Sequence, residues 1–278
     1  MQPIERNHPM YAETSKTPER KGLKYNLLIF DFHGTMTDHQ LRAIRAYHHA
    51  GHEAFGTHLG KEFYQKALTR PSRNSGEPVT NKEFIEDEFL QQVGDQKVND
   101  FFERFNGYMN TTYIPIPNVP QVIRTLIKDG VNISILTNGS NREVIQEALQ
   151  RWNLEDLSES LYNSHITGVK KPHTRTVEYI LEDYEKQGIS IPLKKTLMVG
   201  DYIDDIRTAD NFKIDSALMV RANGQETIRI RSPKPTYVIT DPKDLLKIVR
   251  GDFKQELGDT FTPKPSLWPR ENWGEAKK

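Results

Sequence analysis

The sequence predicts a doubly wound parallel α/β sheet with an inserted helical segment. Three observations point to that fold. Tyr25-Asn26-Leu27-Leu28-Ile29-Phe30 is a short apolar run of the kind that forms a strand buried on both faces. After residue 116, similar runs alternate with segments of helical period, as in parallel strands joined by crossover helices. Several predicted strands also end in polar residues, and in open parallel sheets ligands bind beyond the carboxyl ends of the strands.

Residues 1–23 are polar, lack an apolar period and are expected to form a tail. The first strand follows and ends at Asp31-Phe32-His33-Gly34-Thr35. Residues 39–115 carry helical spacing at Phe84, Ile85, Phe89 and Leu90, and again at Val98, Phe101, Phe102 and Phe105. They read as a mostly helical insert, with Asp38 as a helix cap. Beyond the proline-rich Ile114–Pro120, a helix over Val122–Lys128 stops at Asp129-Gly130. Then come a strand over Val131–Leu136, a helix over Arg142–Trp152 and a short strand at His165–Thr167. A helix over Arg175–Gln187 and a strand over Thr196–Val199 follow. The pattern closes with a helix over Ile206–Phe212 and strands at Ala217–Val220 and Tyr237–Ile239. Residues 253–278, with Trp268 and Trp273, read as a second polar tail. The core is therefore expected at 24–38 and 116–252, and a helical cap at 39–115.

Composition narrows the function. The 278 residues carry 38 Lys+Arg and 38 Asp+Glu, a formal net charge of zero. That balance argues against a general nucleic-acid binder or a polybasic membrane adherent. No apolar window is long enough to cross a bilayer, and no apolar signal segment leads the chain. A cytoplasmic protein is expected. With no cysteine in the sequence, thiol nucleophiles and cysteine-ligated metals are excluded. Hydrophobic residues make up 36% and mean hydropathy is −0.70, consistent with polar tails around an ordinary core.

The strand ends carry the chemistry. The first delivers Asp31, the second Thr137-Asn138, and a third Asp201 with Asp204 and Asp205 close behind. Lys171 precedes Pro172, which biases it away from helix. Carboxylates converging from separate strands repel one another unless a cation shares the site. Hard oxygen ligands suit Mg²⁺, and a lysine offsets further charge.

This ordered constellation resembles the haloacid dehalogenase superfamily of aspartate-nucleophile phosphohydrolases. Asp31-Phe32-His33-Gly34-Thr35 sits where that family has Asp-x-Asp-Gly-Thr. Leu136-Thr137-Asn138-Gly139 matches its second motif, Lys171-Pro172 its third, and Gly200-Asp201-Tyr202-Ile203-Asp204-Asp205 its fourth. The resemblance implies that Asp31 is the nucleophile, forming an aspartyl-phosphate. It implies that Thr137 and Lys171 hold phosphate oxygens, with Asn138, Gly139, Gly34 and Thr35 lining the phosphate loop. Mg²⁺ would be held by Asp31, the His33 backbone carbonyl and Asp201, with Asp205 orienting a metal-bound water or Lys171. The implied substrate is a small anionic phosphorylated molecule.

His33 departs from the family, which places its general acid and base there as aspartate. Histidine donates and accepts protons near neutral pH and can take that role. Altered chemistry, such as phosphonatase-like carbon–phosphorus cleavage, and a non-catalytic binding or regulatory module are the alternatives. Asp201 and Asp205 weigh against a metal-free dehalogenase. A phosphonatase would need a desolvated cap lysine, and nothing around Lys61 or Lys66 suggests one. His48 and His52 have the i, i+4 spacing of a ligand pair, but Gly51 between them weakens the helix and no carboxylate completes it. Arg70 and Arg73 are candidate substrate contacts from the insert. Residues 39–73 hold six Lys+Arg and two Asp+Glu, whereas residues 74–115 hold three and eight. The first half is thus basic and suited to facing an anion.

Overall fold

The computed structural model describes residues 22–56, 94–139, 141–220, 228–229, 232–258 and 260–261. The chain divides into two compact units. One comprises Met1–Thr35, Gln121–Gly139 and Glu159–Ser266; the other comprises Met36–Pro120, Ser140–Ser158 and Leu267–Lys278. In chain order the described helices are α1 (His39–Phe55), α2 (Asp95–Thr111), α3 (Val119–Lys128), α4 (Arg142–Arg151), α5 (Ser164–Thr167), α6 (Arg175–Lys186), α7 (Ile203–Phe212) and α8 (Asp244–Arg250).

The first unit is built on a sheet of β1 (Leu27–Phe30), β2 (Asn132–Thr137), β3 (Leu161–Asn163), β4 (Thr196–Gly200), β5 (Asp215–Met219) and β7 (Tyr237–Ile239). Its six strands run in the order β3-β2-β1-β4-β5-β7, and every pairing is parallel. β1 is central: Leu27–Phe30 pair with Asn132–Ile135 on one side and Thr196–Val199 on the other, and all four residues are fully buried. Burial on both faces explains why β1 is apolar throughout rather than alternating. Its alternate residues Leu27 and Ile29 join Leu136, Tyr162, Met198 and Val177, Ile180 and Tyr184 of α6 in one core cluster. Full burial of each large apolar side chain contributes roughly 1.5–3 kcal/mol.

Several elements differ from the sequence expectation. The segment His165–Thr167 is not a strand; it lies in α5, and the strand is the preceding Leu161–Asn163. The Asn163 side chain accepts from the His165 and Ile166 amides at 3.1 Å and starts the turn, and Gly168 at φ +73° ends it. Helix α7 begins at Ile203 rather than Ile206, α3 at Val119 rather than Val122, and β5 spans Asp215–Met219 rather than Ala217–Val220. The start of the expected C-terminal tail is docked. Gln255 donates to the Val238 carbonyl and accepts from the Val238 amide, both at 2.8 Å. Farther along, β8 (Thr260–Phe261) pairs antiparallel with β6 (Ile228–Arg229).

In the second unit, α1 and α2 pack through Ala46, Tyr47, Ala50, Val98, Phe101 and Phe105. Asp38 caps α1 by accepting from the Leu41 amide at 2.8 Å, and Gly56 at φ +70° closes it. Helix α4 groups with this unit. The expected helical face at Phe84–Leu90 lies outside the described residues. No described helix is long and apolar enough to cross a membrane.

Candidate active site

The candidate site lies within the first unit, at the carboxyl ends of the central strands. Asp31 directly follows β1, and its amide donates to the Val199 carbonyl at 2.8 Å, extending the ladder with β4 by one residue. β4 ends at Gly200, which places Asp201 beside it. Lys171 comes from the loop before α6, and Asp205 from the first turn of α7. Tertiary structure thus gathers residues from three separate parts of the sequence.

Lys171 links two carboxylates. Its Nζ donates to Asp31 Oδ1 at 2.5 Å and to Asp205 Oδ1 at 2.7 Å. All three side chains are buried. Asp201 is exposed, and its carboxylate accepts from Thr35 Oγ1 at 3.1 Å. One carboxylate oxygen from each of Asp31, Asp201 and Asp205 lies within 4.8 Å of the others. Fully ionised, three carboxylates and one ammonium carry a formal charge of −2. An all-oxygen, doubly negative cluster is the donor set that suits a hard divalent cation. The residues present therefore fit a metal.

Burial raises the Asp31 pKa above the ordinary carboxylate range, although Lys171 opposes the shift. Burial likewise pushes Asp205 up to about 6, with Lys171 lowering it and Asp31 adding to the rise. For Lys171, burial works against the charged form, but Asp205 and Asp31 together outweigh it and hold the pKa above its usual value. The ammonium is therefore fixed in its charged state.

Two glycines make the close approach possible. Gly34 has φ +83°, and a Cβ there would lie 2.0 Å from Asp201 Oδ2. At Gly200 a Cβ would lie 2.2 Å from the Asp205 Cγ. Each glycine lets a carboxylate rest against backbone. The Tyr202 amide donates to Asp205 Oδ2 at 3.1 Å, so Asp205 ties the start of α7 to Lys171.

Thr137 is buried at the end of β2. Asn138 does more than its expected place beside the phosphate implies. Its Oδ1 accepts from the Lys171 amide at 2.6 Å, and its Nδ2 donates to the Lys171 carbonyl at 3.2 Å. Sequence reasoning missed this positioning role, because the partners lie 33 residues apart. Gly139 sits at φ +137° beside the Ser164 hydroxyl. His33 follows one residue after Phe32, is half-buried, and meets that ring edge-on at 5.2 Å. Asp204 pairs with Arg207 at 3.4 Å on the exposed helix surface, apart from the carboxylate cluster. His48 and His52 lie in α1, and among the described residues they join no group of three potential metal ligands. Arg70, Arg73, Lys61 and Lys66 lie outside the described residues.

Comparison with known proteins identifies relatives and the shared fold. A protein of Caldanaerobacter subterraneus subsp. tengcongensis, provisionally named pyrophosphatase PpaX, is 24% identical over 235 residues, covering 84% of this chain and 99% of its own. The phosphoglycolate phosphatase of Mannheimia succiniciproducens is 26% identical over 164 residues, covering 57% of this chain and 70% of its own. Among solved structures, YfnB of Bacillus subtilis, bound to magnesium, superposes with a TM-score of 0.61 at 19% identity. That match covers 81% of this chain and 99% of YfnB, and shows the shared fold. Residues 28–219 match the haloacid dehalogenase-like hydrolase family, a span that includes Asp31, Thr137, Lys171, Asp201 and Asp205. The chain belongs to the haloacid dehalogenase-like hydrolases.

Proposed function

We propose that the protein is a Mg²⁺-dependent hydrolase of a small phosphomonoester, acting in the cytoplasm through an aspartyl-phosphate on Asp31. The observation that carries this reading is the buried Lys171 ammonium, bonded at once to Asp31 and Asp205, with Asp201 beside them. The names of the curated relatives, a pyrophosphatase and a phosphoglycolate phosphatase, point to small phosphorylated substrates.

In this mechanism an Asp31 carboxylate oxygen attacks phosphorus while the bond from phosphorus to the leaving oxygen breaks. His33 gives that oxygen a proton. Water then attacks the aspartyl-phosphate and loses a proton to His33, which releases inorganic phosphate and restores the Asp31 carboxylate. Lys171 keeps Asp31 aligned and neutralises charge on the transferring phosphoryl oxygens, while Thr137 and the Gly34-Thr35 loop bind those oxygens. Asn138 fixes the Lys171 backbone. Asp31, Asp201, Asp205 and the His33 carbonyl would hold Mg²⁺, which when bound supplies positive charge to the phosphoryl group. Such positioning and electrostatics account for most of the catalysis in phosphoryl transfer. The segment 39–115 is assigned as the cap that selects the leaving group, with Arg70 and Arg73 as substrate contacts.

The test is phosphate release from a broad panel of phosphomonoesters, with and without Mg²⁺, for the wild type, D31N and H33D. Wild-type turnover that requires Mg²⁺ and vanishes in D31N is expected. Full turnover in D31N would remove Asp31 from the mechanism. If nothing turns over in the wild type while H33D gains activity, the chain is a binding module. Borohydride trapping of a substrate on a lysine would instead establish carbon–phosphorus chemistry.

A further inference from the structure

Arg42 lies in the first turn of α1 and is only 6% exposed. Its Nε and Nη1 are buried and, among the described residues, have no hydrogen-bond partner. Nη2 approaches His39 Nδ1 at 3.4 Å, a contact in which the ring nitrogen must accept, because a guanidinium has no acceptor. The guanidinium carbon lies 4.6 Å from the ring centroid of Tyr113. Tyr113 belongs to the segment that returns from the insert. There the Asp38 amide donates to the Ile114 carbonyl at 2.7 Å and the Ile116 amide to the Met36 carbonyl at 2.9 Å. All of these residues lie in the second unit. Arg42 is thus held between the start of α1 and the returning segment, where a ring gives it a cation–π contact.

Other arginines set the contrast. Arg104 is half-buried and pairs with Glu53 at 2.6 Å and Asp100 at 3.0 Å; Arg175 is half-buried and pairs with Glu182 at 2.5 Å. Arg42 is the reverse: it is buried, and among the described residues no carboxylate pairs with it. Burial pulls its pKa below the ordinary value, and Tyr113 offsets this only in part. A buried cation with unmet donors is costly unless something supplies the missing acceptors. The planar donors of arginine match the oxygens of carboxylate and phosphate groups.

We propose that Arg42, with His39 and the Tyr113 ring, forms an oxyanion-binding site in the second unit that takes a carboxylate or phosphate group. The ligand is a free anion of that class, and the site stands whether or not the phosphatase reading above holds.

Inorganic phosphate and malonate are titrated calorimetrically into the wild type, R42M and R42K. Phosphate bound at the Asp31 site is common to all three, so the Arg42 site is the binding class that R42M loses. Should R42M not fold, R42K decides: binding weakened about tenfold supports the site, since lysine lacks the planar fork. Anion binding that matches the wild type in a folded Arg42 variant overturns it.

Discussion

Replacing Lys171 with methionine removes the one ammonium between two buried carboxylates while keeping most of the side-chain volume. The carboxylate oxygens of Asp31 and Asp205 lie no more than 4.8 Å apart. At an effective dielectric constant of about 20, two unit charges at that separation repel by about 3.5 kcal/mol. Breaking a buried ion pair by truncating one partner typically costs ~3–5 kcal/mol, in the same range. K171M is therefore expected to lose about 3–5 kcal/mol of stability in urea unfolding at neutral pH without divalent cation. The carboxylates left behind still form an oxygen cluster, so added Mg²⁺ should recover part of the loss. Activity should fall by at least 10²- to 10³-fold, because the group proposed to neutralise phosphoryl charge is gone. If K171M unfolds within about 1 kcal/mol of the wild type in metal-free buffer, the ammonium does not carry the electrostatic load assigned to it.

Other perturbations separate stability from function. Gly34→Ala places a methyl on the Asp201 carboxylate at a backbone with φ +83°. Asp201 is exposed and can swing aside, so urea unfolding should show a loss of only ~1–3 kcal/mol, while Mg²⁺-dependent turnover falls far more. Asn138→Ala removes both bonds to the Lys171 backbone; kcat should drop about tenfold or more with little change in KM, measured on any substrate the panel yields. Tyr47 is buried between α1 and α2, and burial pushes its phenol up to about 12 from the ordinary value of 10.0. The raised pKa contributes stability that is complete below about pH 10 and is lost as pH rises through about 12. The loss approaches ~2.7 kcal/mol at ~1.4 kcal/mol per pH unit, and Tyr47→Phe should abolish it in urea midpoints taken across that window.

Sequence patterning by itself was sufficient for the parallel core. Leu27–Phe30, Ile133–Thr137 and Thr196–Gly200 are buried on both faces, so their apolar runs stand out without knowledge of their neighbours. Asp31, Thr137 and Asp201 were legible as candidate site residues for a related reason: a polar residue ending such a run has left the sheet at its carboxyl edge. Short elements were less legible. Leu161–Asn163 spans three residues, and the apolar signal of Ile166 beside it belongs to a single helical turn that Asn163 caps. The cap signal of Asn163, with Gly168 after the turn, was present in the sequence but weak beside the hydrophobic one. Gln255 lies in a polar stretch, yet its side chain serves as a backbone-like partner for Val238, a use that composition cannot reveal.

Tertiary structure alone decided how the charges meet. Periodicity is a local property of the chain, whereas the Lys171 bonds reach 140 residues to Asp31 and 34 to Asp205. Which lysine is buried, which carboxylates share it and which asparagine holds its backbone depend on loops brought together by the sheet. The same holds for Arg42, which in sequence is one more basic residue on a helix. Only packing against Tyr113 turns it into a buried cation with donors to spare. A neutral composition thus conceals two opposite arrangements: a carboxylate cluster that calls for a cation, and a guanidinium that calls for an anion.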